Sequence, residues 1–319
     1  MRSTALLKYH LPWILVSALL LLVLISAPDS ILGQQPTPNS RTVLLRVTAT
    51  DDHNRPITGL KREQFSIFEK TQQLDIASFD SSDEPASIAF MFDVSGSIPD
   101  AFKNLAAQLV QQFIETSNKS NDYLVIAFNT QAKVLCSWDC RADDLKKALG
   151  EIVRVTPQMN TAFYDACDLA LTKLESSKYR RRVIIVFTDE AGDNASKASL
   201  STLRNILRES SVALYAIGLI HQSNDGSTLG IPGRGILEEL ASVSGGRAFF
   251  SPDHKQLRDV VAVLAAQLSD QYTITLNVAP ATYDNKWHSI KVKVAPPREE
   301  SRGKFPKIFL RYREGYYDH

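Results

Sequence analysis

The sequence predicts an α/β protein: a doubly wound, mostly parallel sheet, with a small β-sandwich-like domain built from the two flanks. Three observations carry that prediction. Between Ser87 and Gln271, unbroken apolar runs alternate with stretches of helical periodicity, the pattern of buried parallel strands joined by crossover helices. Outside that span apolar and polar residues alternate, as in strands with one wet face. Neither flank has enough strands for a stable sheet of its own, so the two are expected to pair with each other.

The central strands are Ile88–Phe92, Tyr123–Phe128, Val183–Phe187, Val212–Ile220 and Arg247–Phe250, each nearly continuous in apolar residues. Helical spacing of i, i+3 and i+4 joins Phe102, Leu105, Leu109 and Phe113 on one helix and Phe163, Cys167, Ala170, Leu171 and Leu174 on another. A third carries Leu257, Val261, Leu264 and Leu268. Pro99 stands where a first helical turn tolerates it, and Gly245-Gly246 closes a helix around Leu237–Val243. On the flanks, Arg41–Thr50 alternates and leads through a turn at Asp51–Pro56 to Phe65–Phe68. Tyr272–Val278, Trp287–Val294 and Ile308–Tyr312 alternate in the same way. The expected division is 41–84 as an N-terminal β segment, 85–271 as the α/β domain, and 272–319 as a C-terminal β segment that pairs with 41–84.

The N-terminus points to export. Arg2 and Lys8 precede the apolar run Leu11–Ala27, which reads as a secretory signal or a membrane anchor. Its 17 residues are short for a span of about 20, while Ile31-Leu32-Gly33 fits the small-residue cleavage rule only loosely, so both readings stay open. Residues 1–33 are thus a signal peptide or anchor and 34–40 a polar linker. The protein is expected in the periplasm, at the cell surface or secreted, touching a membrane only through an uncleaved N-terminal segment.

The 319 residues carry 36 Lys+Arg against 35 Asp+Glu; without residues 1–33, 34 of each sign remain. That balance provides no basic field for a phosphate backbone and argues against nucleic acid as a partner. Three cysteines are too few for a disulfide scaffold. In an exported chain Cys136 and Cys140 are close enough in sequence to bridge if the turn between them folds back, the alternative being three free thiols. Cys167 lies in a helical pattern as a small buried hydrophobe.

The chemistry gathers at two strand ends. Strand Ile88–Phe92 runs into Asp93-Val94-Ser95-Gly96-Ser97, and strand Val183–Phe187 runs into Thr188-Asp189. In open α/β sheets ligands bind beyond the carboxyl ends of the strands. Asp93, Ser95 and Ser97 alternate along a turn that can aim three oxygen ligands at one point, a set suited to a hard cation such as Mg²⁺. A cation with few anionic ligands keeps its Lewis acidity and favours a carboxylate from a partner.

These residues resemble the metal-ion-dependent adhesion site of von Willebrand factor A (VWA) domains, whose fold is Rossmann-like. The resemblance implies Ser95 and Ser97 as direct ligands and Asp93 acting mainly through water. Thr161, in Met159-Asn160-Thr161-Ala162-Phe163-Tyr164-Asp165-Ala166, matches the family's threonine loop, and Asp189 matches the last position. Gly59-Leu60, Phe65–Glu69 and Tyr312–Tyr317 look like the exported VWFA-related family first described in acidobacteria. The loop Thr188-Asp189-Glu190-Ala191-Gly192-Asp193 departs from the family pattern: Glu190 stands in place of a glycine and the loop is one residue longer. Glu190 would add negative charge near the metal or point into solvent. Asp165 is expected to be structural.

Other chemistries fit poorly. A phosphatase of the haloacid-dehalogenase type needs an acid two residues after Asp93, where Ser95 stands. No GxSxG accompanies the serines. Gly230–Gly235 (GIPGRG) lacks a phosphate-loop pattern and is expected to be a surface loop. The reading is a non-enzymatic, exported binding module. Its cation, Mg²⁺ with Mn²⁺ or Ca²⁺ as alternatives, would bridge to an acidic residue of a protein partner. A VWA scaffold without a functional metal is the alternative.

Overall fold

The computed structural model describes residues 41–188, 193–219, 231–251, 254–278, 286–296 and 307–317. The export segment and linker, residues 1–40, lie outside them. The N-terminal flank contributes β1 (Arg41–Thr50), a 3₁₀ turn at Arg62–Gln64, β2 (Phe65–Glu69) and β3 (Gln72–Asp80). The middle of the chain continues with β4 (Ala86–Asp93), α1 (Asp100–Thr116), β5 (Asp122–Phe128), β6 (Ala132–Cys136), α2 (Ala142–Ile152) and α3 (Phe163–Glu175). It is completed by β7 (Arg181–Thr188), α4 (Leu200–Glu209), β8 (Val212–Leu219), α5 (Ile231–Val243), β9 (Arg247–Ser251) and α6 (His254–Ser269). The C-terminal flank adds β10 (Tyr272–Val278), β11 (Trp287–Val294), β12 (Phe309–Arg311) and β13 (Gly315–Tyr317).

The middle elements form a six-stranded sheet in the order β6-β5-β4-β7-β8-β9. All pairs are parallel except the edge strand β6, which returns antiparallel to β5. Period-two alternation divides the core into two layers. Ile88, Phe90 and Phe92 of β4 pack with Phe102, Leu109 and Phe113 of α1, Leu145 and Leu149 of α2 and Leu257 and Leu264 of α6. Ala89 and Met91 face the other way, onto Phe163, Ala170 and Leu174 of α3, Leu203 and Leu207 of α4 and Leu237 and Leu240 of α5. Every residue of β4 is buried, which explains why its sequence reads as an unbroken apolar run. The doubly wound architecture expected from the sequence is therefore present.

The flanks build the second sheet, in the order β12-β1-β10-β3-β2-β11-β13. Strands from the two ends of the chain interleave: β1 pairs antiparallel with β10, β10 with β3, and β2 with β11. Val43, Leu45, Val47, Ile67, Ile274, Leu276, Ile290 and Val292 share one buried cluster. The sheet curls around its own apolar face, giving the sandwich-like flank domain.

Residues 41–319 form one compact unit, and a polar seam joins its two sheets. Arg181, 5% exposed, donates to the Glu84 carbonyl at 2.8 Å and to Gln271 Oε1 at 3.1 Å. Gln271 in turn donates to Thr48 Oγ1 at 3.0 Å. Asn54, at φ 62°, receives the guanidinium groups of Arg247 and Arg311 on its side-chain oxygen.

Two departures have physical causes. Residues 231–235 of the GIPGRG segment are the first turn of α5 and not a loop. Proline is tolerated in a first turn, and burial of Leu237, Leu240 and Ala241 outweighs the glycine cost of about 1 kcal/mol per residue. The antiparallel edge strand β6 and helices α2 and α4 were not anticipated, nor were β3 and β13, whose short or largely exposed sequences carry little apolar signal. Cys136 and Cys140 are joined as a disulfide, with Cα atoms 5.8 Å apart and the Cys140 N–H returning to the Ser137 carbonyl at 3.0 Å. Cys167 is fully buried in α3, and desolvation pushes its thiol pKa well up.

Candidate metal centre

In this strand order, β4 is followed on one side by β5 and on the other by β7. The chain reverses its direction of winding between β4 and β7, and the crevice at their carboxyl ends is the switch point where ligands bind. β4 ends in Asp93 and β7 in Thr188. The topology thus brings the two strand-end motifs to one place.

Asp93, 3% exposed, is held at both oxygens. Oδ1 accepts the Ser95 N–H at 2.9 Å, and Oδ2 accepts the Thr188 hydroxyl at 2.8 Å. These bonds fix the carboxylate while leaving it further acceptor capacity, as a group acting on a cation through water requires. The turn then rises out of the sheet: Ser95 is buried, Gly96 and Ser97 are exposed, and the Ile98 N–H closes back on the Ser95 carbonyl at 3.2 Å. The Ser95 and Ser97 Oγ atoms are 3.1 Å apart. Two hydroxyls that close and a braced carboxylate form an oxygen set that fits a hard cation.

The threonine loop is tied to this turn through its backbone. Gly96 N–H donates to the Gln158 carbonyl at 2.8 Å, and Ala162 N–H donates to the Asn129 carbonyl, at the end of β5, at 2.7 Å. Thr161 is 8% exposed. Asp93, Ser95, Ser97 and Thr161 are thereby gathered on one edge. Asp189 and Glu190 lie outside the described residues.

The threonine loop is braced by a segment not expected from the sequence. Asn194 accepts the Thr161 N–H on Oδ1 at 2.8 Å and returns its own N–H to the Thr161 carbonyl at 3.1 Å. Asp193 Oδ2 accepts the Tyr164 N–H at 2.8 Å, and Ser196 Oγ accepts the Asp165 N–H at 2.9 Å. Helix α3 has no side-chain cap of its own at Ala162, so a loop some thirty residues away satisfies its first donors. Asp165 reciprocates by accepting the N–H groups of Lys197 and Ala198, the structural role expected of it. The cluster Asp-Asn-Ala-Ser after β7 was the available signal. Asp193→Ala is expected to cost about 1–2 kcal/mol, the usual worth of a helix cap, read as a lowered urea midpoint with unchanged slope. An unchanged midpoint would contradict the capping role.

Asp51, Asp52 and His53 place ligand-type atoms within 4.8 Å of one another. Asp51 is already engaged. Its Oδ1 accepts the N–H groups of His53 and Arg55 at 2.9 Å, and its Oδ2 accepts Arg55 Nε at 2.7 Å. Desolvation acts upward on this carboxyl, yet the hydrogen bonds from Arg55 and His53 hold its pKa below the ordinary value. The group shapes the predicted Asp51–Pro56 turn.

Residues 87–263 match the family model of the von Willebrand factor type A domain. Similar solved structures include proximal thread matrix protein 1 from the mussel byssus, at TM-score 0.48 and 21% identity over 61% of this chain and 49% of that one. The chain therefore spans about half the length of that protein. BatB from Bacteroides thetaiotaomicron aligns at TM-score 0.45 and 13% identity, over 58% of this chain and 98% of its own. A von Willebrand factor type A protein from Catenulispora acidiphila aligns at TM-score 0.47 and 11% identity, over 82% and 72%. No curated protein matches the sequence.

Proposed function

The chain belongs to the von Willebrand factor type A domain family, and on that premise we propose that it is an exported binding module that captures a protein partner through a divalent cation. Ser95 and Ser97 would hold the cation directly and Asp93 through water, with Thr161 and Asp189 completing the set. Mg²⁺ is the proposed ion, and Mn²⁺ or Ca²⁺ could replace it. When bound, the ion supplies Lewis acidity toward a carboxylate of the partner. The chain's own residues orient and brace; no chemical step is assigned to them.

The observation that carries this reading is the geometry at the end of β4. Asp93 is fixed by Ser95 N and Thr188 Oγ1, and the Ser95 and Ser97 hydroxyls meet at 3.1 Å. An acceptor-rich turn at a topological switch point, with only one carboxylate among its described ligands, suits a cation that still has room for an anionic group. Residues 1–33 would serve as signal peptide or anchor, 34–40 as linker, 85–271 as the metal-bearing domain, and 41–84 with 272–319 as the flanking β-domain.

Partner capture from the native envelope, with and without EDTA, tests the reading. Capture should be lost on chelation and restored by Mg²⁺, and should be absent in a Ser95→Ala/Ser97→Ala variant. Capture that ignores both EDTA and the serine substitutions would favour a scaffold that binds without metal.

A further inference from the structure

At the amino end of β7, away from the metal centre, a cavity of about 50 Å³ lies between the two sheets. Its charged lining is Arg46 of β1, Arg181 and Arg182 of β7, and Arg313, with no acidic residue lining it among the described residues. The Nε atoms of Arg46, Arg181 and Arg182 are all buried and have no hydrogen-bond partner among the described residues. A buried donor left unpaired is costly, and more so when it is charged.

The guanidinium groups are held in place from behind. Arg181 Nη1 and Nη2 are fixed by the Glu84 carbonyl and by Gln271. Arg182 Nη2 is held by the Glu175 carbonyl at 2.9 Å, and Arg313 Nη1 by the Ser210 carbonyl at 2.7 Å. Each of two arginines also has an ion pair at its rim: Asp83 lies 3.6 Å from Arg181 Nη1 and Glu84 lies 3.6 Å from Arg46 Nη2. Burial and the neighbouring Arg181 bring the Arg46 pKa down to about 10, with Glu84 opposing. What lacks an acceptor among the described residues is the buried Nε of three arginines that line one cavity.

We propose that this cavity binds one small tetrahedral oxyanion of the phosphate or sulfate class, which ties β1 of the flank sheet to β7 of the central sheet. Such an ion offers acceptors in several directions at once, matching arginines that line the cavity from two strands. At roughly 10–15 Å³ for each water-sized sphere, the space holds about four or five non-hydrogen atoms. That matches an inorganic oxyanion.

The test is equilibrium dialysis of labelled inorganic phosphate against the full chain, at ionic strength held constant with sodium chloride, with parallel thermal melts. One phosphate per chain is expected, displaced by excess sulfate, and saturation should raise Tm by about 3–6 °C. Arg182→Gln and, separately, Arg46→Gln should each weaken phosphate at least tenfold, while their Tm in phosphate-free buffer stays equal to wild type or rises. Absence of stoichiometric binding to wild type would overturn the site. So would equal affinity in wild type and whichever variants fold, or a Tm rise of the same size in all of them, the signature of general salt exclusion.

Discussion

Asp93→Ala is expected to lose metal binding and to destabilise the fold by roughly 3 kcal/mol, measured by urea unfolding in EDTA so that no cation contributes. The cost follows from the two buried bonds that the carboxylate accepts, from Ser95 N–H and Thr188 Oγ1. Removing an acceptor from a buried donor costs about 1–3 kcal/mol. Asp93→Asn separates the two effects. The amide oxygen still accepts from Ser95 N–H, and the Thr188 hydroxyl can rotate to accept from the amide nitrogen, so the variant should unfold within about 1 kcal/mol of wild type. Without the negative charge, its Mg²⁺ affinity should still fall about 10–100-fold, as for a residue acting on the metal from outside the direct ligands. Equal stability of the Ala and Asn variants would contradict the bracing role of the carboxylate.

Gly246→Ala is expected to cost at least about 3 kcal/mol, a loss of about 5 °C or more in Tm for a chain of this size. Gly246 sits between α5 and β9, and its N–H returns to the Ala241 carbonyl at 2.9 Å. A Cβ there would fall 2.0 Å from the Leu214 carbonyl oxygen and 2.7 Å from its carbon. These are backbone atoms of β8, a strand held between β7 and β9, so relief requires moving the sheet. Gly150 provides the control: it lies in α2, and a Cβ there meets nothing within 4 Å. Gly150→Ala should be neutral or stabilising by up to about 1 kcal/mol. If Gly246→Ala melts with wild type, the close approach of helix end and strand is wrong.

What the sequence revealed follows from how each element is buried. β4, β7 and β8 are covered on both faces, so their residues must be apolar without interruption and the strands are visible locally. β3 has only Leu74 buried. It is held between its neighbour β2 and β10, some two hundred residues later, and no local apolar pattern records the second pairing. The opening turn of α5 shows the reverse case, with local glycine and proline signals overridden by the leucines that follow. Asp93, Ser95 and Ser97 were legible because a buried strand ending in acid and hydroxyl groups has few structural uses. Asp193, Asn194 and Ser196 were not, since their role is to hold another loop. The arginines of the seam were equally hidden: Arg46, Arg181, Arg182 and Arg313 meet only once the flanks fold onto the central sheet.

The central claim is that Ser95 and Ser97 hold a divalent cation. Calorimetric titration of Mg²⁺ into the wild-type protein and into the Ser95→Ala/Ser97→Ala variant tests it most directly. A single site in wild type that vanishes in the variant is predicted. Equal binding in both proteins, or binding in neither, would contradict it.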